Sequence, residues 1–335
     1  MTQAELGLIV PALPRSWGHW QPRAGGVLLV LALGAAVSSP ALLFFALPLL
    51  FGVPHVAADL RYLVLRRDLP ASWRRTVWLG CAALLALRGV DAFYPWSRVG
   101  SVETLLAVAW ALLAVQAAAA REQGAARART AVGLVLAAGL AALHDPRAAR
   151  LVLLHAHNVV ALLAAGFFLR TRSRAFLFAA LGIVAVALVL ASGTFSRISL
   201  DAPSSLQARW VPMQLFEMAD QIAPGLRADR AIGVTSGFLF LQAVHYTIWL
   251  GVIPWQARVP GRSLRRDLGS WGFAALVLAS LATLAGGLFQ PRAARTLYLS
   301  LASFHVYLEL VMLLYFWVAR GGIRPTRAGE QACCS

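Results

Sequence analysis

The sequence contains no lysine, and only 14 of its 335 residues are acidic. Charged residues make up 13% of the chain, about half of the roughly 25% usual in a soluble domain. That scarcity, together with the abundance of apolar residues, excludes a disordered chain and a solvated coiled coil. Three cysteines are too few for a disulfide scaffold and form no metal-binding spacing. Cys81 lies in an apolar run, and Cys333 and Cys334 sit one residue too close to the end for a prenylation signal. Met1 to Gln21 lacks a basic start, a clean apolar stretch and a small-residue cleavage site, so this segment is expected to be retained. There is no internal repeat and no low-complexity linker, and one domain over residues 1–335 is the simplest division.

What the chain has in abundance is apolar surface. Hydrophobic residues are 59% of the sequence and the mean hydropathy is +0.69, more than one soluble core can bury. The expected fold is all-α, a polytopic integral membrane protein in the bacterial cytoplasmic membrane. Thirty basic residues give a net charge of +16. They are arginines in short clusters between apolar runs, which suits loops on an anionic leaflet and leaves no basic face for nucleic acid.

A bilayer core takes about 20 apolar residues per helix. Runs between arginine clusters give ten spans, approximately 24–38, 41–65, 76–96, 102–120, 129–144, 147–169, 174–193, 231–255, 271–289 and 294–319. With both termini in the cytoplasm, nineteen arginines fall on the inner side and nine on the outer side. No inner segment lacks arginine, as the positive-inside rule requires. A long outer connection is expected at about 194–230. Its middle, Leu206 to Ile222, mixes Trp210, Met213, Leu215, Phe216 and Met218 with polar residues at roughly helical spacing, as in a helix lying on the outer leaflet. A short cytoplasmic tail follows from about 320.

Ionisable groups inside a membrane are costly and mark candidate functional positions. Of seven histidines, His19 and His144 fall at span edges. His55, His155, His157, His245 and His305 fall inside the second, sixth, eighth and tenth spans. These even-numbered spans run in one direction and place the histidines at similar depth. His55 is followed by Asp59 and His305 by Glu309, each one turn later on the same helix stripe. A carboxylate so placed can hold an imidazole in one tautomer beside a metal or ligate an ion itself. His155 and His157 are about 200° apart on a regular helix, so either one is a ligand and the other hydrogen-bonds elsewhere, or the helix is distorted. Asn158 and Gln242 are candidate supporting groups, and Tyr246 and Tyr307 are candidate channel-lining residues. Arg88 and Asp91, three residues apart, suggest a local ion pair. The plainer reading of any one such histidine is a hydrogen bond between helices.

The segment Gly52-Val53-Pro54-His55-Val56-Ala57-Ala58-Asp59 resembles the Gly-x-Pro-His-Gly-x-x-Asp motif of the Brp/Blh family of membrane β-carotene 15,15′-dioxygenases. The family's glycine after the histidine is Val56 here, and its His-x-x-x-His pair has no counterpart. The resemblance covers eight residues and the general layout of histidines on several helices. It implies non-haem iron held by histidines, with His55 a ligand, Asp59 supporting it, and a lipid-soluble carotenoid or other isoprenoid as substrate cleaved with oxygen. Two other functions suit the same residues. Facing histidines are the axial ligands of a haem electron-transfer protein, and a line of histidines and acids is the pathway of a proton or metal-ion transporter.

Overall fold

In a computed structural model of the protein, the described residues are 20–65, 69–95, 97–120, 125–168, 174–201, 215–256 and 263–319. Among them there is no strand, and the fold is all-α. The helices are α1 (Trp20–Ser38), α2 (Pro40–Asp59), α3 (Ala71–Phe93), α4 (Val99–Ala119), α5 (Ala125–His144), α6 (Pro146–Phe168), α7 (Arg174–Ala191), α8 (Ser196–Asp201), α9 (Leu215–Ile222), α10 (Ala228–Thr247), α11 (Ile253–Gln256), α12 (Leu264–Phe289), α13 (Pro291–Ala302) and α14 (Phe304–Val318). A π-helical turn, Leu60–Leu65, extends α2, and another, Ile248–Val252, joins α10 to α11.

Each of the ten expected spans coincides with helix. Eight helical stretches are long and apolar enough to cross a membrane, and two shorter apolar helices, Gly26–Ser38 and Phe176–Ala191, account for the first and seventh spans. The protein is an integral membrane protein of many helices. Prolines set several boundaries, because a missing N–H costs nothing in the first turn. Pro40 opens α2, Pro146 opens α6 and Pro291 opens α13. Ahead of Pro146, Asp145 Oδ1 accepts the amides of Arg147 and Ala148 at 3.1 and 3.0 Å, an N-terminal cap. The Ala148 amide, with that of Arg147 beside it, holds the Asp145 carboxyl below the ordinary carboxylate range.

Three features depart from uniform spans. The tenth is two helices, broken at Ser303 immediately before His305. In α12, Gly269 adopts φ 72°, a conformation reserved largely for glycine, so the regular helix begins where the sequence places its ninth span. The outer connection contains α9, whose Met218, Ala219 and Ile222 are buried. It packs against α10, while the expected helical residues 206–214 lie outside the described residues.

The helices that carry the interior polar groups are the most enclosed. Most of α10 is buried, whereas α12 has half-buried and exposed residues but none fully buried. Close approach of α10 to α7 depends on small residues, as is common in membrane bundles. A Cβ at Gly237 would meet the Ala187 carbonyl oxygen at 2.6 Å, and that backbone has no rotamer to change. Gly237→Ala is expected to cost about 1–3 kcal/mol, read as a lower midpoint of thermal unfolding in detergent with unchanged helical circular dichroism at low temperature.

The expected Arg88–Asp91 pair is present, and Arg88 has a closer partner as well. Its guanidinium binds both carboxylate oxygens of Glu103, with Nε 3.1 Å from Oε1 and Nη2 against Oε2. Asp91 is the more distant partner, at 3.5 Å. Glu103 stands in the second turn of α4 and is buried, which its place near the edge of a span does not reveal. A second pair, Arg61 to Asp267 at 2.6 Å, ties the π turn after α2 to α12.

Candidate metal centre

Four helices deliver the interior histidines to one place. α2 contributes His55 and Asp59, α6 contributes His157, α10 contributes His245, and α14 contributes His305 and Glu309. In α2, Pro48 cannot donate to the carbonyl four residues earlier, and that carbonyl, of Phe44, accepts Arg295 Nε at 3.1 Å. α13 is thereby fixed to α2 about two turns before the break that sets His305. Both α2 and α10 pass into a π turn directly after their site residues. Such turns are frequent at functional positions, and here they carry Trp249 to within 6.0 Å of the His55 ring, centroid to centroid.

The side chains are in direct contact. His55 Nε2 lies 2.9 Å from His245 Nε2, and His305 Nε2 lies 3.3 Å from His157 Nε2. The two pairs adjoin, with ring centroids of His157 and His245 4.3 Å apart and those of His55 and His305 5.1 Å apart. Glu309 reaches three of them. Its Oε1 is 3.7 Å from Nε2 of both His55 and His245, and its Oε2 is 3.1 Å from His157 Nδ1. Asp59 Oδ2 is 3.4 Å from His55 Nε2. His55, Asp59 and Glu309 have no exposed surface, and His245 has 1%.

The five sequence candidates therefore divide. His55, His157, His245 and His305 gather with both acids, and His155 does not. The helix is regular at this point, so the opposed directions of His155 and His157 persist. His155 Nε2 donates to the Ile222 carbonyl at 3.1 Å and its ring packs on Phe238, which anchors α6 to the end of α9. Tyr246 lies beside the cluster, 5.2 Å from the His55 ring. Tyr307 belongs elsewhere, near Glu103. Trp249 is inconspicuous among the apolar residues of its span, although it stands one helical turn after His245.

No family model, curated protein or solved structure matches the chain. The likeness of the His55 segment to the Brp/Blh motif thus rests on those residues alone, and the chemistry of the cluster has to be read from its atoms.

His305 Nδ1 points at the Ala302 carbonyl, which can only accept, so this nitrogen carries the proton and His305 Nε2 is a bare acceptor. If His157 is protonated on Nδ1, two lone pairs face each other across 3.3 Å. If it is protonated on Nε2, its bare Nδ1 faces a carboxylate oxygen at 3.1 Å. Either arrangement brings two acceptors together unless a further proton or a metal ion lies between them. Nδ1 of His55 and Nδ1 of His245 also find no hydrogen-bond partner among the described residues, a costly state for buried groups. Nitrogens bound to one metal at about 2.0–2.1 Å stand about 2.9 Å apart at right angles and about 3.3 Å apart at the tetrahedral angle, the two separations found here. His55, His157, His245 and Glu309 form a buried group able to hold a metal ion, and His55, Asp59 and His305 form a second that overlaps it.

Proposed function

We propose that this protein is a membrane-embedded, metal-dependent oxidoreductase with non-haem iron that acts with oxygen on a lipid-soluble substrate, of the carotenoid or isoprenoid class. The observation that carries the reading is the convergence of four imidazoles and two carboxylates, all buried except the half-buried His157, from four helices. Imidazole with carboxylate and no thiolate suits iron among redox metals. Two carboxylates balance one divalent ion and leave the site neutral, which a hydrocarbon surrounding favours.

In this reading His55, His157, His245 and His305 hold the iron. Glu309, in reach of three of the histidines, and Asp59, in reach of one, fix ring orientation and compensate charge. Bound iron supplies the capacity to activate oxygen, which the side chains lack. The chain's own contribution is to exclude water through burial of the cluster and to admit a hydrophobic substrate from the bilayer. A haem between paired histidines is less well supported, because Nε2 atoms 2.9 and 3.3 Å apart leave no gap for a porphyrin plane.

The test is oxygen uptake by detergent-purified protein supplied with β-carotene or a shorter isoprenoid, with and without an iron chelator. Chelator-sensitive uptake coupled to loss of polyene absorbance is expected. Uptake that the chelator leaves untouched, or none with any apolar substrate in iron-loaded protein, would sink the reading.

A further inference from the structure

A cavity of about 630 Å³ lies between α4, α5, α6 and α14, on the far side of the α6–α14 contact from the histidine cluster. On α14 the cavity is lined at Tyr307, Leu310, Val311 and Leu314. His305 and Glu309 lie off that stripe, turned toward the metal centre. Its volume falls in the range of about 300–1,000 Å³ occupied by small-molecule pockets. Alanine, valine and leucine form two thirds of its wall.

The polar residues of the wall are all at one end. Glu103 and Thr104 come from the start of α4, Asp145 from the α5–α6 junction, Arg150 from the start of α6, and Tyr307 from the start of α14. Behind them Arg88 holds the Glu103 carboxylate, and Tyr307 lines the same cavity as Glu103. A buried ion pair inside a membrane span marks a functional position by default. Glu103 neutralises Arg88, and Arg150 on the wall is matched in charge by Asp145, so this end is balanced in charge and offers hydrogen-bonding groups.

We propose that this cavity binds a single-chain amphiphile, with its hydrocarbon along α5 and α14 and an uncharged hydrogen-bonding head, such as a hydroxyl, at Glu103 and Tyr307. The site is separate from the metal centre, and the proposal holds whether or not the centre contains iron.

The test is photolabelling of the full-length protein in detergent with three diazirine probes of equal chain length: an alcohol, a fatty acid and a headless hydrocarbon. Labelled peptides are mapped by mass spectrometry. Saturable labelling of α4, α5, α6 and α14 by the alcohol is expected, competed by unlabelled alcohol and at least several-fold stronger than by the hydrocarbon. α12, which buries no residue, serves as the internal standard for non-specific contact with lipid. Ala142→Phe, which fills the cavity, is expected to abolish the saturable part. Tyr307→Phe, which keeps the ring and removes the hydroxyl, is expected to erase the preference for alcohol over hydrocarbon while leaving the fold intact. Labelling that does not saturate, or that reaches α12 as strongly as the cavity helices, would overturn the proposal. Preference for the fatty acid would overturn the assignment of an uncharged head.

Discussion

His157→Ala is expected to lower metal affinity by about 100-fold or more, while His155→Ala leaves the metal content of the purified protein unchanged. The contrast follows from a helix that points the two rings in opposite directions. One meets His305 at 3.3 Å and Glu309 at 3.1 Å, and the other meets a backbone carbonyl. Loss of a residue that merely supports a ligand typically costs 10–100-fold in metal affinity, and loss of the ligand itself costs at least as much. His155→Ala leaves the Ile222 carbonyl without its donor, a cost to stability of about 1–3 kcal/mol. The two effects separate in a competition titration against a chelator of known affinity, run beside thermal unfolding. Equal metal loss in both variants would mean that the α6 geometry is wrong.

Glu309→Gln is expected to weaken metal binding more than Asp59→Asn. Both substitutions keep shape and remove one negative charge. Glu309, however, lies within 3.7 Å of His55, His157 and His245, whereas Asp59 pairs at 3.4 Å with His55 and otherwise sits beside Glu309 and His305. The expected loss is about 10–100-fold for Asp59→Asn, the range for a group that orients one ligand, and greater for Glu309→Gln. In Glu309→Gln a divalent ion would be left with a single compensating carboxylate in a buried site, where an uncompensated charge is costly. The same chelator titration ranks them, and the reverse order would exchange the roles of the two acids.

Much of this arrangement is legible in the sequence because hydrocarbon imposes a strict constraint. Every span must satisfy its own backbone, so apolar length and arginine placement locate the helices that α1 to α14 confirm. Polar residues that remain inside are rare enough to be conspicuous, and the His55/Asp59 and His305/Glu309 spacing puts each pair on one helix face without any tertiary information. Helix periodicity gives the angle between His155 and His157 but not which direction is inward, since that depends on how α6 packs against α14 and α9. Glu103 escapes notice because a residue four positions into a helix looks like a span edge, and only its pairing with Arg88 shows that it is interior. The break at Ser303 carries no proline or glycine signal. It coincides with the His305 ring occupying the Ala302 carbonyl, a contact within the tertiary site. The cavity beside α5 is likewise a gap between helices, and no single segment encodes it.

The most direct test of the metal centre is elemental analysis with an absorption spectrum on detergent-purified protein, wild type beside His55→Ala. The cluster predicts close to one iron per chain and no Soret band in the wild type, with iron falling below a tenth of that in the variant. A Soret band, or wild-type protein free of any transition metal after iron loading, would contradict it and leave protons as the cations shared among these histidines.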